Sequence, residues 1–156
     1  MEIKERVRAM EDELVELRRY FHAHPEPSWK EFNTQKKIMT YFHAHPELSF
    51  EEKNTTHAIG KRLEEMGLTP HFYPDYNGLW AMIEGGKSTP DSKTVALRAD
   101  IDALPIKEET GAPYASEKEG TMHACGRDTH ITILLGTAKV LAAMKDELTV
   151  TVRFLF

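Results

Sequence analysis

The chain has a single cysteine, Cys125. No disulfide can close within it, and this usage suits a reducing compartment. No apolar run approaches the roughly 20 residues a membrane helix needs. Basic residues form no stripe: 20 Lys and Arg stand against 25 Asp and Glu, for a net charge of −5. Nucleic acid is therefore not an expected partner. The opening run MEIKERVRAMEDELVELRRY reads as a charged amphipathic helix rather than a signal peptide, so a cytoplasmic location is expected. A complete phosphate loop is also missing. Gly85-Gly86-Lys87-Ser88 lacks the first glycine at the required spacing, and no helix follows it.

What remains is ordinary globular composition: 156 residues, 40% hydrophobic and 29% charged. That supports one domain with a real core and is short for two.

The N-terminal part repeats itself. Tyr20-Phe21-His22-Ala23-His24-Pro25-Glu26 recurs as Tyr41-Phe42-His43-Ala44-His45-Pro46-Glu47, an offset of 21 residues that also pairs Ser28 with Ser49, Glu31 with Glu52 and Asn33-Thr34 with Asn54-Thr55. Two copies do not make a solenoid. The unit spans residues 20–40 and 41–61 and reads as a local tandem duplication inside a helical region, 1–66. In each copy Pro ends a helix, and Ser28 or Ser49 reads as an N-cap with a glutamate three positions on. Helices are expected over about 3–22, 29–43 and 50–66, with Gly67 stopping the last. The copy that leads directly into the sheet should hold the docked position, leaving 28–41 as the insertion. The paired histidines read as helix-end residues meeting terminal carbonyls. His57 and His71 read as surface positions.

Residues 67–156 read as an α/β region. Short strands are expected at 71–73 and, after the Asn77-Gly78 turn signal, at 79–83. Thr94 to Ala99 reads as a buried strand, and Leu148 to Phe156 as an apolar one. Two acids, Asp100 and Asp102, follow the third strand. At a strand's carboxyl end they are placed for chemistry, or they simply cap the turn before Pro105. Residues 106–121 form a polar loop that covers the site or merely connects. Then comes Met122-His123-Ala124-Cys125-Gly126-Arg127-Asp128-Thr129-His130, ahead of a helix capped by Asp128 or Thr129 whose Ile131, Leu134, Leu135, Ala138, Leu141 and Ala142 share one face. Thiolate and imidazole are preferred ligands of zinc and similar ions. Arg127 cannot be one, because guanidinium has no acceptor lone pair. Held about 4 Å from a dication, it would be repelled by roughly 8 kcal/mol at an effective dielectric of about 20. It is expected instead to pair with Asp100, Asp102 or Asp128.

The run MHACGRDTHITILLGTAKVL resembles the signature of metal-dependent amidohydrolases, the branch of the aminoacylase and carboxypeptidase clan that includes hippurate hydrolase, N-acyl-amino-acid amidohydrolases and indole-acetyl-amino-acid hydrolases. That signature reads His-Ala-Cys-Gly-His-Asp, with the cysteine and second histidine as ligands. Arg98-Ala99-Asp100-Ile101-Asp102-Ala103-Leu104-Pro105 is similar to a second family motif, and Leu17-Arg18-Arg19 with His-x-His-Pro-Glu-x-Ser to its opening. The resemblance implies an α/β sheet flanked by helices, the N-terminal part of a zinc-peptidase-like catalytic domain, with 1–156 a single incomplete domain. It implies a zinc or manganese centre, Cys125 as metal ligand, Arg127 at the place of the other ligand, and catalytic support from Asp102 and Asp100. The substrate would be an N-acyl amino acid. The family's Gln-Pro-Ala-Glu-Glu segment, which supplies the general base, would follow Phe156. The expectation is an N-terminal portion inactive as it stands. The alternative is a non-catalytic binding or assembly module, self-associating or pairing with a missing C-terminal half through an apolar edge near Phe154-Leu155-Phe156.

Overall fold

The computed structural model describes residues 39–156. The expected helices over 3–22 and most of 29–43, and the looped-out copy, lie outside the described residues. A helical segment at 39–44 comes first, followed by α1 (Lys53–Glu65), β1 (His71–Phe72), β2 (Leu79–Ile83), β3 (Thr94–Arg98), α2 (Arg127–Ala143), a short 3-10 turn (Lys145–Glu147) and β4 (Thr151–Leu155). The sheet order is β1-β2-β4-β3. β1 and β2 pair antiparallel, as do β2 and β4, while β3 runs parallel to β4 with Val95 opposite Val152 and Leu97 opposite Phe154. β3–α2–β4 is thus a βαβ unit, since parallel neighbours need a crossover. No helix among the described residues is long and apolar enough to cross a membrane.

Side-chain alternation builds the inner face. Leu79, Ala81 and Ile83 of β2 point inward, as do Val152 and Phe154 of β4. On the other side Arg153 lies over the Trp80 ring at 4.7 Å, a cation–π contact. The α1 face formed by Thr55, Thr56, Ile59, Gly60 and Leu63 is buried, and so is the α2 face with Ile131, Leu134, Leu135 and Ala138. Both meet the sheet in one core.

Four expectations need correction. β3 forms where expected but is largely exposed, with Val95 at 43%. Its apolar content implied burial, yet among the described residues it pairs only with β4 and lies at the sheet's edge. Conversely, Phe154 and Phe156 are buried, because β4 is an inner strand flanked on both sides. Among the described residues the outer strands are β1 and β3. Ser49 does not cap α1. The Glu47 carboxylate does, accepting the N–H groups of Asn54 at 3.2 Å and Thr55 at 2.7 Å, where its charge also suits a helix N-terminus. The turn through Phe50, whose φ is 69°, separates Ser49 from that end. Neither Asp128 nor Thr129 caps α2. Gly126 is its N-cap, at φ 80°, and Asp128 already sits in the first turn.

The second copy of the repeat holds contacts the first could not reproduce in sequence. The Thr56 hydroxyl accepts the Gly78 N–H at 3.0 Å, whereas Gln35 stands at the matching position of the other copy. Gly60 packs so close to Phe72 that a Cβ would lie 2.6 Å from its ring, and Met39 is its counterpart.

The Gly85–Ser88 loop uses its own donors. The N–H groups of Gly86, Lys87 and Ser88 bond the carbonyls of Lys145, Leu148 and Gly85. None of these three is left to cradle a phosphate.

Candidate active-site corner

Asp100 and Asp102 leave the carboxyl end of β3, and α2 begins opposite them. The segment between is pinned by backbone. The Ala103 N–H donates to the Glu47 carbonyl at 2.7 Å, and Leu104 and Met122 exchange bonds at 2.9 and 3.0 Å. The aspartates and the Cys125 turn are thereby held side by side.

Arg127 reaches across this junction. Its Nη1 contacts Asp102 Oδ2, and its Nε lies 3.9 Å from Asp100 Oδ2. Arg98 Nη2 holds the other oxygen of Asp100 at 2.8 Å. The expected pairing of Arg127 with an aspartate is present. Asp128 takes no part in it and has a different partner.

That partner is His43. Its Nδ1 lies 2.7 Å from Asp128 Oδ2 and its Nε2 3.1 Å from Glu108 Oε1. Asp128 is 3% exposed, and the Glu108 side chain 4%. Glu108 also accepts the Thr110 hydroxyl and, at 2.7 Å, the Ser116 N–H. The Tyr114 ring meets the imidazole edge-on. The polar loop is therefore fastened over the helix end and the α2 N-terminus rather than merely connecting elements. Burial works against a charged His43, but its hydrogen bonds to Asp128 and Glu108, with their charges, outweigh it and raise its pKa. Burial likewise opposes Glu108 ionisation, and the bonds from Thr110, Ser116 and His43 overcome it, bringing the carboxyl down to about 2.

His43 thus departs from the helix-end role expected of it. His45 keeps that role, with Nδ1 2.8 Å from the Tyr41 carbonyl. The repeat was the signal for His43, because both copies keep the same two histidines. Glu108, in a polar loop, carried none.

Cys125 is free and exposed. His123, two residues before it, is 3% exposed, with both ring nitrogens lacking a partner. Burial lowers its pKa, with His43 and Arg127 adding to that and Asp128 and Asp102 opposing. These residues do not fit a metal ion. The guanidinium sits on the carboxylates a cation would use, and among the described residues no group of three or more His, Cys, Asp or Glu is placed to hold one, while catalytic zinc takes three protein ligands.

Residues 96–156 match the model of peptidase family M20/M25/M40. N-acetylcysteine deacetylase of Bacillus subtilis is 48% identical over 150 residues, covering 96% of this chain and 33% of that protein. N-acyl-L-amino acid amidohydrolase of Geobacillus stearothermophilus is 41% identical over 155 residues, covering 99% and 35%. Among solved structures, the Bacillus subtilis YXEP protein, described as a dinuclear metal binding peptidase from the M20 family, superposes with a TM-score of 0.75 at 45% identity, over 81% of this chain and 35% of that one. The fold is that of a metallopeptidase-like protein. More particularly, the chain is similar to the amino-terminal portion of an M20-family catalytic domain and spans about a third of the length of the curated relatives it matches.

Proposed function

We propose that the chain is the amino-terminal portion of a hydrolase for the amide bond of N-acyl amino acids, and that this polypeptide alone does not catalyse the reaction. The amidohydrolase part is supported by the relatives named above and by two aspartates beside a Cys125 turn at a helix N-terminus. The observation that carries the inactivity is Arg127, seated on Asp102. Zinc or manganese is the cofactor this reading implies. Bound, it would polarise the amide carbonyl and acidify a water. With Arg127 in place the chain's own residues form no cage for it.

The test is amine release from N-acetyl-L-cysteine and other N-acetyl amino acids, with and without added manganese or zinc. No release above blank is expected, and turnover by this chain would overturn the inactivity. A chimera in which this chain replaces the matching third of the Geobacillus relative tests the substrate class. Carrying Arg127→His it should hydrolyse N-acyl amino acids. If a folded chimera of that kind fails, the amidohydrolase reading fails with it.

A second reading, a binding or assembly module, is favoured by the exposed edge of β3, a template for strand addition or self-association. A stable oligomer by gel filtration without turnover would support it. A cytoplasmic location belongs to either reading and is supported by the single free thiol.

A further inference from the structure

We infer that Arg127 is a built-in substitute for a metal ion: its guanidinium fills the cation position between Asp102 and Asp100, so this corner takes no divalent cation and needs none to hold its shape. The inference rests on the amidohydrolase reading for the identity of the position, but its geometry is this chain's own.

The charge at the junction is already balanced. Two carboxylates, Asp100 and Asp102, face two guanidiniums, Arg98 and Arg127. A divalent ion would add to a neutral cluster, against a positive group it could displace only by breaking both contacts of Arg127. The arginine is also well placed to stay. Its side chain is 26% exposed and that of Asp102 is 19%, enough burial for a charged pair to resist solvent, and the planar fork suits a carboxylate. The donors left over do not compensate. Cys125 points to solvent, and His123 is sealed away with both nitrogens unpaired.

The arrangement has a structural consequence. A metal bridging the β3 end and the α2 N-terminus can be removed by a chelator, but a side chain cannot. The joint between Asp102 and the first turn of α2 is therefore covalently supplied with its cation and insensitive to metal supply.

Two measurements on the whole chain and two sets of variants test this. After incubation with zinc or manganese and dialysis, elemental analysis should find less than about a tenth of an equivalent per chain. The thermal midpoint should be the same, within about a degree, in excess zinc and in EDTA. Retention of about one equivalent, with a midpoint that EDTA lowers, would overturn the inference. Arg127→Met, Asp102→Asn and the double variant then test the bridge itself. If the guanidinium holds Asp102, the double variant should lose clearly less than the sum of the single losses, because both remove one interaction. Additive losses would sink the bridge. Arg127→His should gain zinc affinity by about tenfold or more, read as metal retained and as an EDTA-reversible rise in midpoint. No gain in a folded variant would refute the assignment of this position. None of these readouts involves hydrolysis, so a failed amide assay and a failed metal test remain separate results.

Discussion

Replacing His43 with alanine should destabilise the chain by an amount that depends on pH in a defined way. The imidazole is the partner of two buried carboxylates, at 2.7 Å from Asp128 and 3.1 Å from Glu108. Removing one member of a buried charged network costs about 3–5 kcal/mol, mostly because the remaining charge is stranded. Glu108 keeps the Ser116 N–H and the Thr110 hydroxyl, so the low end applies, about 3 kcal/mol. At roughly 3 °C per kcal/mol for a domain of this size, the midpoint should fall by about 9 °C. The raised pKa of His43 contributes stability that is complete below its ordinary 6.5 and is lost as pH rises through the raised value. The lowered pKa of Glu108 contributes stability present above its ordinary 4.5 and lost as pH falls toward about 2. The gap between wild type and His43→Ala should therefore be widest between 4.5 and 6.5 and narrow on either side. Thermal melts followed by circular dichroism across that range give the answer. A loss below about 2 °C, or a gap unchanged up to about pH 9, would refute the claim that the imidazole bridges these carboxylates.

Three further outcomes follow from the same geometry. Gly85→Ala should cost about 1–3 kcal/mol by urea unfolding, because the new Cβ would meet the Leu148 and Val150 carbonyl oxygens at 2.4 and 2.6 Å; a neutral result would mean this turn is not packed against the chain before β4. Leu135→Ala, at a fully buried α2 position, should lower stability by about 2–5 kcal/mol with an unchanged denaturant slope. Phe50→Asn should be neutral or gain up to about 1 kcal/mol, since Phe50 holds φ 69° while 84% exposed and asparagine tolerates that conformation. A marked loss would show that the ring contributes to packing.

Several elements were legible because their signals are local. Gly67 and the Asn77-Gly78 pair punctuate the chain, and β2 falls on residues 79–83, directly after that turn signal. The helix expected over about 50–66 forms as Lys53–Glu65, and the apolar face of α2 is the one buried. The Cys125 turn and the two aspartates were legible as residue types at fixed spacings, and so was an ion pair between Arg127 and an aspartate. The misreadings have another origin. The burial of β3, the capping of α1 by Glu47 rather than Ser49, and the partner of Asp128 all depend on what another segment brings near. A strand's composition does not say whether it lies at an edge, and an acid within a helix's first turn looks like a cap until a histidine from elsewhere claims it.

Periodicity, turn residues and motif spacing, all written within a few positions of one another, determined by themselves the order of helices and strands and the presence of an arginine in a ligand-type turn. Only the tertiary structure decided that His43 joins Asp128 and Glu108, which lie 85 and 65 residues away along the chain, that Arg127 settles on Asp102 rather than Asp128, and that His123 is left buried without a partner. Such pairings arise where layers stack, and the free energy of bringing distant charges together depends on the burial and geometry that stacking creates, which no short window of residues contains.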